Sequence, residues 1–358
     1  MPVVHPICCG LDVQQARLTA CLRHVNDAGQ VTTEWREFGT IYSERLALSD
    51  WLVAQHCPIV AMESTGVYWQ PIYHVLVGVV EVLVGNAREM RPRPGHKTDP
   101  ADARWIAELF AHGLIRPSFV PPPETRALRD LTRTRVGLVQ TRPQAKNRVQ
   151  KVWEESNIKL SSVVSDVFGK SGRQMLKALI EGERDAQQFA SLALGRLRRK
   201  LPELELALTG QFTEHHGRLI ALALELIDGW ERQRAALHEQ MRLLIEPLLP
   251  QSEQLDSMPG VDATAARDIL GEIGTDMSRL GSAARWAAWA QVSPGNNASA
   301  GKRRHGRTGK GNRSLRRVLV QCAGAARKTS TFLGRTFRRL EARLGASVPQ
   351  WPWGIRCW

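Results

Sequence analysis

The sequence predicts an α/β domain over about its first 118 residues and helical architecture beyond it. Short apolar runs alternate there with stretches of helical spacing, whereas the later sequence is rich in Leu, Ala, Glu and Arg at helical intervals. Between the two lies a proline-rich break over residues 117–123.

Residues 7–13 form an apolar run that reads as a first strand, and residues 17–23 alternate as a second after a turn. Residues 35–40 read as a third strand. Leu46, Leu48, Trp51 and Leu52 give residues 43–55 a helical face. Residues 58–62 return as a strand, 67–76 as a helix and 81–84 as a strand. Asp99 opens another helix with Ile106, Leu109 and Phe110 on one side. Three meandering strands, then helix, strand, helix, strand, is the element order of a ribonuclease-H-like fold.

After the break, residues 124–155 carry Leu128, Leu131, Leu138, Val149 and Val152 on one side of a long helix, with Arg and Lys opposite. Pro143 is expected to kink or split it, because proline removes a backbone donor and crowds the preceding turn. Residues 214–249 form a second long helical stretch, and the two together read as an antiparallel coiled-coil or bundle arm. From about Leu255, Ser257-Met258-Pro259-Gly260-Val261 followed by an Ala-rich helix to Ile273-Gly274 reads as a helix-hairpin-helix-like segment. Such a turn can expose backbone N–H groups to phosphate. Asp262 stands at its second glycine position and would repel phosphate, which leaves a structural hairpin as the stronger reading.

The chain has 358 residues, with 49 Lys and Arg against 35 Asp and Glu, a formal net charge of +14. That surplus favours a polyanionic partner, since each neutralised phosphate releases condensed counterions. The cysteines (Cys8, Cys9, Cys21, Cys57, Cys322 and Cys357) show no C-x-x-C spacing, so neither zinc ligation nor a disulfide framework is indicated. The apolar stretch at 75–84 is interrupted by Glu81 and too short to span a bilayer. A soluble, cytoplasmic protein with no membrane partner is expected.

Four acids stand out. Asp12 ends the first strand, and Glu63 ends the run Ile59-Val60-Ala61-Met62 before a Ser-Thr-Gly turn. Asp99 and Asp102 are three residues apart at a helix start and share a face. Strand-end acids converging on a helix-borne pair can hold two divalent cations for in-line phosphoryl displacement, and hard oxygen ligands select Mg2+ or Mn2+. The competing reading makes Asp99 and Pro100 an N-cap and N1 pair, with Asp102 complementing the helix dipole.

A second constellation starts at Pro294, where Ser299 heads a Gly-rich loop crowded by Lys302, Arg303, Arg304, Arg307, Lys310, Arg313, Arg316 and Arg317. Glycines admit a phosphate to the backbone, and guanidinium forks match its oxygens. The loop reads as a nucleic-acid binder. Ser299 is either a nucleophile, whose alkoxide the cations favour, or a residue that only caps or hydrogen-bonds. Arg129, Arg133, Lys146, Arg148 and Lys151 read as a second basic stripe, and Trp69, Trp105, Trp286 and Trp289 as core anchors.

Gly10-Leu11-Asp12-Val13, Met62-Glu63-Ser64-Thr65-Gly66-Val67-Tyr68, Lys97-Thr98-Asp99-Pro100-Ala101-Asp102-Ala103 and the segment from Pro294-Gly295-Asn296 through Ser299-Ala300-Gly301 to Lys310-Gly311-Asn312 resemble the DEDD transposases of insertion-sequence family one-hundred-and-ten. The resemblance runs in order from about Ile7 to Lys328. It implies a RuvC-like catalytic domain over 1–118, in which Asp12, Glu63, Asp99 and Asp102 bind magnesium. It implies a helical coiled-coil arm over 119–254 and a C-terminal transposase domain over 255–345, in which Ser299 is the nucleophile. A phosphoserine link to DNA, a guide (bridge) RNA from the element, and a dimer or tetramer sharing its site between subunits are implied as well. Besides Asp262 and Pro143, the tail 346–358 departs from the pattern. Its tryptophans and prolines cannot make the apolar helix with which relatives continue, so it reads as an altered end that puts the activity of this copy in question. Two further readings remain, a metal-dependent junction-resolving nuclease and an inactive nucleic-acid-binding remnant.

Overall fold

A computed structural model describes residues 2–64, 66–86, 90, 99–280, 282–292, 298–299, 302–303 and 311–344. The chain divides into two compact units, Met1–Val120 and Pro121–Trp358.

The first unit runs β1 (Ile7–Val13), β2 (Arg17–Val25), β3 (Val31–Gly39), α1 (Tyr42–Ala54), β4 (Ile59–Glu63), α2 (Trp69–Leu76), β5 (Glu81–Gly85) and α3 (Asp99–Ala111). The strands form one mixed sheet in the order β3-β2-β1-β4-β5. β1 to β3 are antiparallel neighbours, whereas β4 pairs parallel with both β1 and β5. The two central parallel strands are buried on both faces, which is why they read as continuous apolar runs rather than as an alternation. β3 lies at the sheet edge and is exposed almost throughout, so its start at Val31 leaves no apolar signature.

Side chains on one sheet face (Leu11, Leu18, Met62 and Val84) pack with Leu48, Trp51 and Leu52 of α1 and with Ile72 and Leu76 of α2. On the other face Cys8, Ile59 and Ala61 meet Ile106 and Phe110 of α3, and Cys21 meets Ala103 and Ala107. Leu46, expected on the buried side of α1, is 42% exposed. The closest approach of α3 to the sheet is at Gly10. A Cβ there would stand 2.3 Å from the Ala103 carbonyl oxygen and 2.4 Å from the Ala107 nitrogen. Both neighbours are backbone and cannot rotate away, so Gly10→Ala is expected to destabilise the protein by roughly 1–3 kcal/mol or more through overpacking. The midpoint of urea unfolding measures it.

The second unit contains α4 (Pro123–Glu155), α5 (Leu160–Val163), α6 (Lys170–Ile180), α7 (Ala186–Ser191), α8 (Leu201–Leu208), α9 (Glu214–Ile245), α10 (Leu249–Asp256), α11 (Ala263–Ile273), α12 (Ala283–Trp289), α13 (Arg313–Ala326) and α14 (Phe332–Leu344). Two short strands, β6 (Ala298–Ser299) and β7 (Lys302–Arg303), pair antiparallel before α13. The long helices α4 and α9 lie against each other and enter two hydrophobic cores. One core joins Leu128 of α4 and Met241 and Ile245 of α9 to α11, α12 and α13. The other joins Val149, Val152 and Trp153 of α4 and Ile220 and Ala223 of α9 to α6 and α8.

Pro143 neither splits nor ends α4, which is assigned as one helix across it. One residue before the carbonyl that Pro143 leaves without its helical donor, the chain takes up two side-chain donors. Trp230 Nε1 of α9 donates to the Leu138 carbonyl, and Thr141 Oγ1 donates to the same oxygen at 2.8 Å. The Arg142 and Arg234 guanidiniums lie 5.0 and 5.2 Å from the Trp230 ring, within cation–π range.

The hairpin turn before α11 serves packing. Gly260 has φ +91°, and a Cβ on it would meet the Cys322 carbonyl oxygen at 2.5 Å and the Ala326 nitrogen at 2.6 Å, both on α13. Asp262 is the N-cap of α11, its Oδ1 accepting from Ala265 N at 2.7 Å. The acid that spoils a phosphate-binding turn is therefore a good helix start. The described cysteines are buried and unpaired, and burial pushes the Cys57 thiol up to about 11. Cys357 and the tail 345–358 lie outside the described residues. Among the described residues no helix is long and apolar enough to cross a membrane.

Candidate functional site

The acids of the first unit are placed by sheet register. The last paired rung between β1 and β4 is Leu11 with Met62, so Asp12 and Glu63 are the next residues on neighbouring parallel strands, at their C-terminal ends. Leu11 and Met62 point to the α1–α2 face, and strand alternation turns Asp12 and Glu63 to the α3 face. Asp99 is the first residue of α3 rather than its cap, and Asp102 lies one turn on. Gly10 lets α3 sit against β1, which brings that helix start to Asp12.

The electrostatics record the approach. Burial pushes the Asp12 carboxyl above its ordinary value; Gln14 draws it down, while Asp102 and then Asp99 push it up. Gln14 Nε2 donates to Asp12 Oδ2 at 3.3 Å, and Arg17 Nη2 is 2.6 Å from Asp99 Oδ2. Asp102 Oδ1 is buried without a hydrogen-bond partner. A buried acceptor left unpaired costs free energy, which a cation at that position would recover. Asp12, Asp99 and Asp102 are thus electrostatic neighbours, with Glu63 on the adjoining strand end. Among the described residues, no group of three or more His, Cys, Asp or Glu side chains is gathered closely enough to hold a metal ion in this arrangement.

In the second unit, Ser299 lies in β6 with its backbone paired to Lys302 of β7, and Ala298 is paired to Arg303. Arg304, Arg307 and Lys310 lie outside the described residues. Arg313 is exposed in the first turn of α13. The helix is capped by Asn312, whose Oδ1 accepts from Leu315 N at 3.0 Å.

Arg129 and Arg133 both have partners on α11, and Arg133 stays about half exposed. Arg133 grips Glu272 of α11 with two hydrogen bonds of 2.8 and 2.9 Å. Arg129 Nε donates to the Gly271 carbonyl at 3.2 Å and lies 3.3 Å from Glu272 Oε2. Burial pushes the Arg129 guanidinium below its ordinary value, whereas the bidentate bond to Glu272 lifts that of half-exposed Arg133. Arg135 pairs with Asp268 at 2.7 Å, and Asn312 Nδ2 donates to Glu272 Oε2 at 2.6 Å. Burial pushes the Asp268 carboxyl up against the pull of Arg135 and Arg317. Sequence reading missed this network, although its signal was present. Asp268 and Glu272 are four apart on an Ala-rich helix, and Arg129 and Arg133 have the same spacing on α4.

Lys146 lies over the Phe168 ring at 4.7 Å and near Asp166, whereas Arg148 and Lys151 are exposed. Trp286 is buried, Trp69 and Trp289 pack partly into cores, and Trp105 Nε1 donates to the Met90 carbonyl at 3.0 Å.

Comparison with known proteins assigns the class. Residues 9–158 match a family described as Transposase, of the DEDD type, and residues 252–337 match one described as Transposase IS116/IS110/IS902 family. Both segments are those of a DNA-processing transposase. The chain belongs to the IS110 family of insertion-sequence transposases. No curated protein matches it. Among solved structures, the Fowlpox virus resolvase in complex with its substrate Holliday junction DNA is similar at a TM-score of 0.20 and 12% identity, over 29% of this chain and 72% of that one.

Proposed function

We propose that this transposase cleaves and rejoins DNA with a divalent-cation site in its first unit, of ribonuclease-H-like, RuvC-like fold, and a serine nucleophile in its second. The supporting observation is that Asp12 stands within electrostatic reach of Asp99 and Asp102 on the α3 side of the sheet, with Asp102 Oδ1 buried and unpartnered among the described residues. Asp12, Glu63, Asp99 and Asp102 would hold the ion, and their hard carboxylate oxygens fit Mg2+ or Mn2+. When bound, such cations stabilise charge on the attacking and leaving oxygens of a phosphoryl displacement. Arg17 keeps Asp99 neutralised and oriented, and Gln14 orients Asp12.

In this reading Ser299 Oγ attacks a DNA phosphorus. Its proton passes to water, a phosphoserine P–O bond forms, and the bridging deoxyribose oxygen leaves with the electron pair of the broken P–O bond. Lys302 and Arg303, on the paired strand, supply cations beside the phosphate. Attack by the released hydroxyl of another strand reverses the chemistry and frees Ser299. Lys302, Arg303, Arg304, Arg307, Lys310, Arg313, Lys146, Arg148, Arg129 and Arg133 are the proposed nucleic-acid contacts, the last two also engaged with Glu272. In this reading the helix pair within residues 119–254 is the arm and the serine segment within 255–345 the transposase domain, the two sharing one hydrophobic core. Choice of DNA by a guide RNA from the element, and assembly of a dimer or tetramer, complete the proposal.

The test incubates the protein with Mg2+, element-end DNA and the flanking element RNA. A covalent DNA–peptide adduct at Ser299 is expected from the native chain and none from Ser299→Ala. An adduct that persists in the variant, or hydrolysed free ends without any adduct from the native chain, removes the serine from the chemistry.

A further inference from the structure

We propose that Arg196, Arg198, Arg199 and Lys200 form a docking ridge for the phosphodiester backbone of duplex DNA, on a part of the second unit remote in sequence from the serine segment. The four cations lie within one short 3-10 helix, Gly195–Lys200. Gly195 opens the turn at φ +59°, a conformation that a side chain would strain. Within the turn only Leu197 faces inward, packing against the core that holds Leu204 and Phe189, and Leu201 follows it there. The inward leucines fix the outward face, so all four cationic side chains are exposed.

Two hydrogen bonds hold the ridge in place. Arg198 Nε donates to the Ala193 carbonyl at 3.1 Å, and Leu194 N donates to Ser171 Oγ at 2.9 Å. The second bond ties the turn to the first turn of α6, where Lys170 is also exposed.

What marks this ridge is the crowding of four cations into five residues with no counter-charge among the described residues. Arg129, Arg133, Arg135, Arg173, Arg242 and Arg327 all pair with carboxylates. Among the described residues Arg196, Arg198, Arg199 and Lys200 pair with no carboxylate, and the next acid along the chain, Glu203, is exposed and unpaired with them. Four like charges crowded into one short helix repel each other, and a phosphate backbone relieves that repulsion while releasing its counterions. A 3-10 rise of about 2 Å per residue spreads the four over roughly 8 Å, a span that meets a few successive phosphates. Guanidinium forks suit phosphate oxygens, and beside the four cations the flanking Leu194 is, among the described residues, a lone exposed apolar side chain rather than a patch. The choice of DNA over another polyanion rests on the transposase reading.

The test measures binding of the full-length protein to a short fluorescent duplex without divalent metal, over a range of salt. In R196Q/R198Q/R199Q/K200Q the slope of log affinity against log salt is expected to fall by about 2 to 4, with affinity about ten- to a hundredfold lower near physiological salt. The charge-conserving R196K/R198K/R199K should keep the native slope. A slope unchanged by the glutamine variant overturns the proposal, as does a loss confined to a structured RNA of equal length. Should the quadruple variant fail to fold, R199Q alone is expected to lose about one unit of slope. Metal-dependent cleavage by the native chain is scored separately. Its absence would count against the catalytic reading and leave the binding result standing.

Discussion

Asp102→Asn is expected to lower Mg2+-dependent strand cleavage by about a thousandfold or more while leaving the metal-free protein at least as stable as the native chain. The two halves of that result have one cause. Asp102 Oδ1 is buried with no hydrogen-bond partner, and the Asp102 charge is one of those that push the Asp12 carboxyl up. A neutral amide of the same shape removes that repulsion, relieving on the order of 1 kcal/mol, and removes a hard anionic ligand at the same stroke. Thermal melting with and without Mg2+ separates the effects. The native protein should gain stability from the ion by mass action, and the variant should gain little. Cleavage at the native rate by Asp102→Asn would take Asp102 out of the site.

Glu272→Ala is expected to cost about 3–5 kcal/mol, the largest single-residue loss predicted for the second unit. Glu272 is 2% exposed and receives Arg129, Arg133 and Asn312 together. Without it the buried Arg129 guanidinium keeps its charge and loses its counter-ion, and the cap of α13 loses the group that orients it. Glu272→Gln preserves shape and an acceptor, so a smaller loss of about 1–3 kcal/mol is expected. Arg133→Ala should cost less than Glu272→Ala, because the Arg133 side chain is 47% exposed and water can replace part of its role. Urea denaturation of the three variants gives the ranking, and equal costs for all three would contradict it.

Much of the first unit was legible from residue pattern. β1 falls where the run from Ile7 to Val13 places it, and α1, β4 and β5 lie within a residue of expectation. These elements carry strong apolar signatures because both sheet faces are covered. β3 begins four residues before its expected start because an exposed edge strand has no buried face to mark it. The four short helices between residues 160 and 208 left no usable period. They are 4 to 11 residues long and punctuated by Gly169, Gly172, Gly182 and Gly195, so their core is built from many small contributions.

The candidate site shows the same division. Asp12, Asp99 and Asp102 could be paired from strand-end and helix-start positions, but Arg17 and Gln14 belong to a turn whose fold brings them back on the acids. Arg129 and Arg133 show the converse, partners that the sequence does not reveal. Charge on a helix face reads as free in sequence, and only the packing of α11 against α4 gives both side chains partners there, with Arg133 still about half exposed.

The way α4 and α9 thread both cores of the second unit has a mechanical consequence. A helix of 33 residues is about 50 Å long, and each of its ends walls a different apolar interior. Melting either interior would strip two ribs from the other, so neither can open far without its neighbour. A load applied near α6 and α8 would pass along these shared struts to α11 and α13.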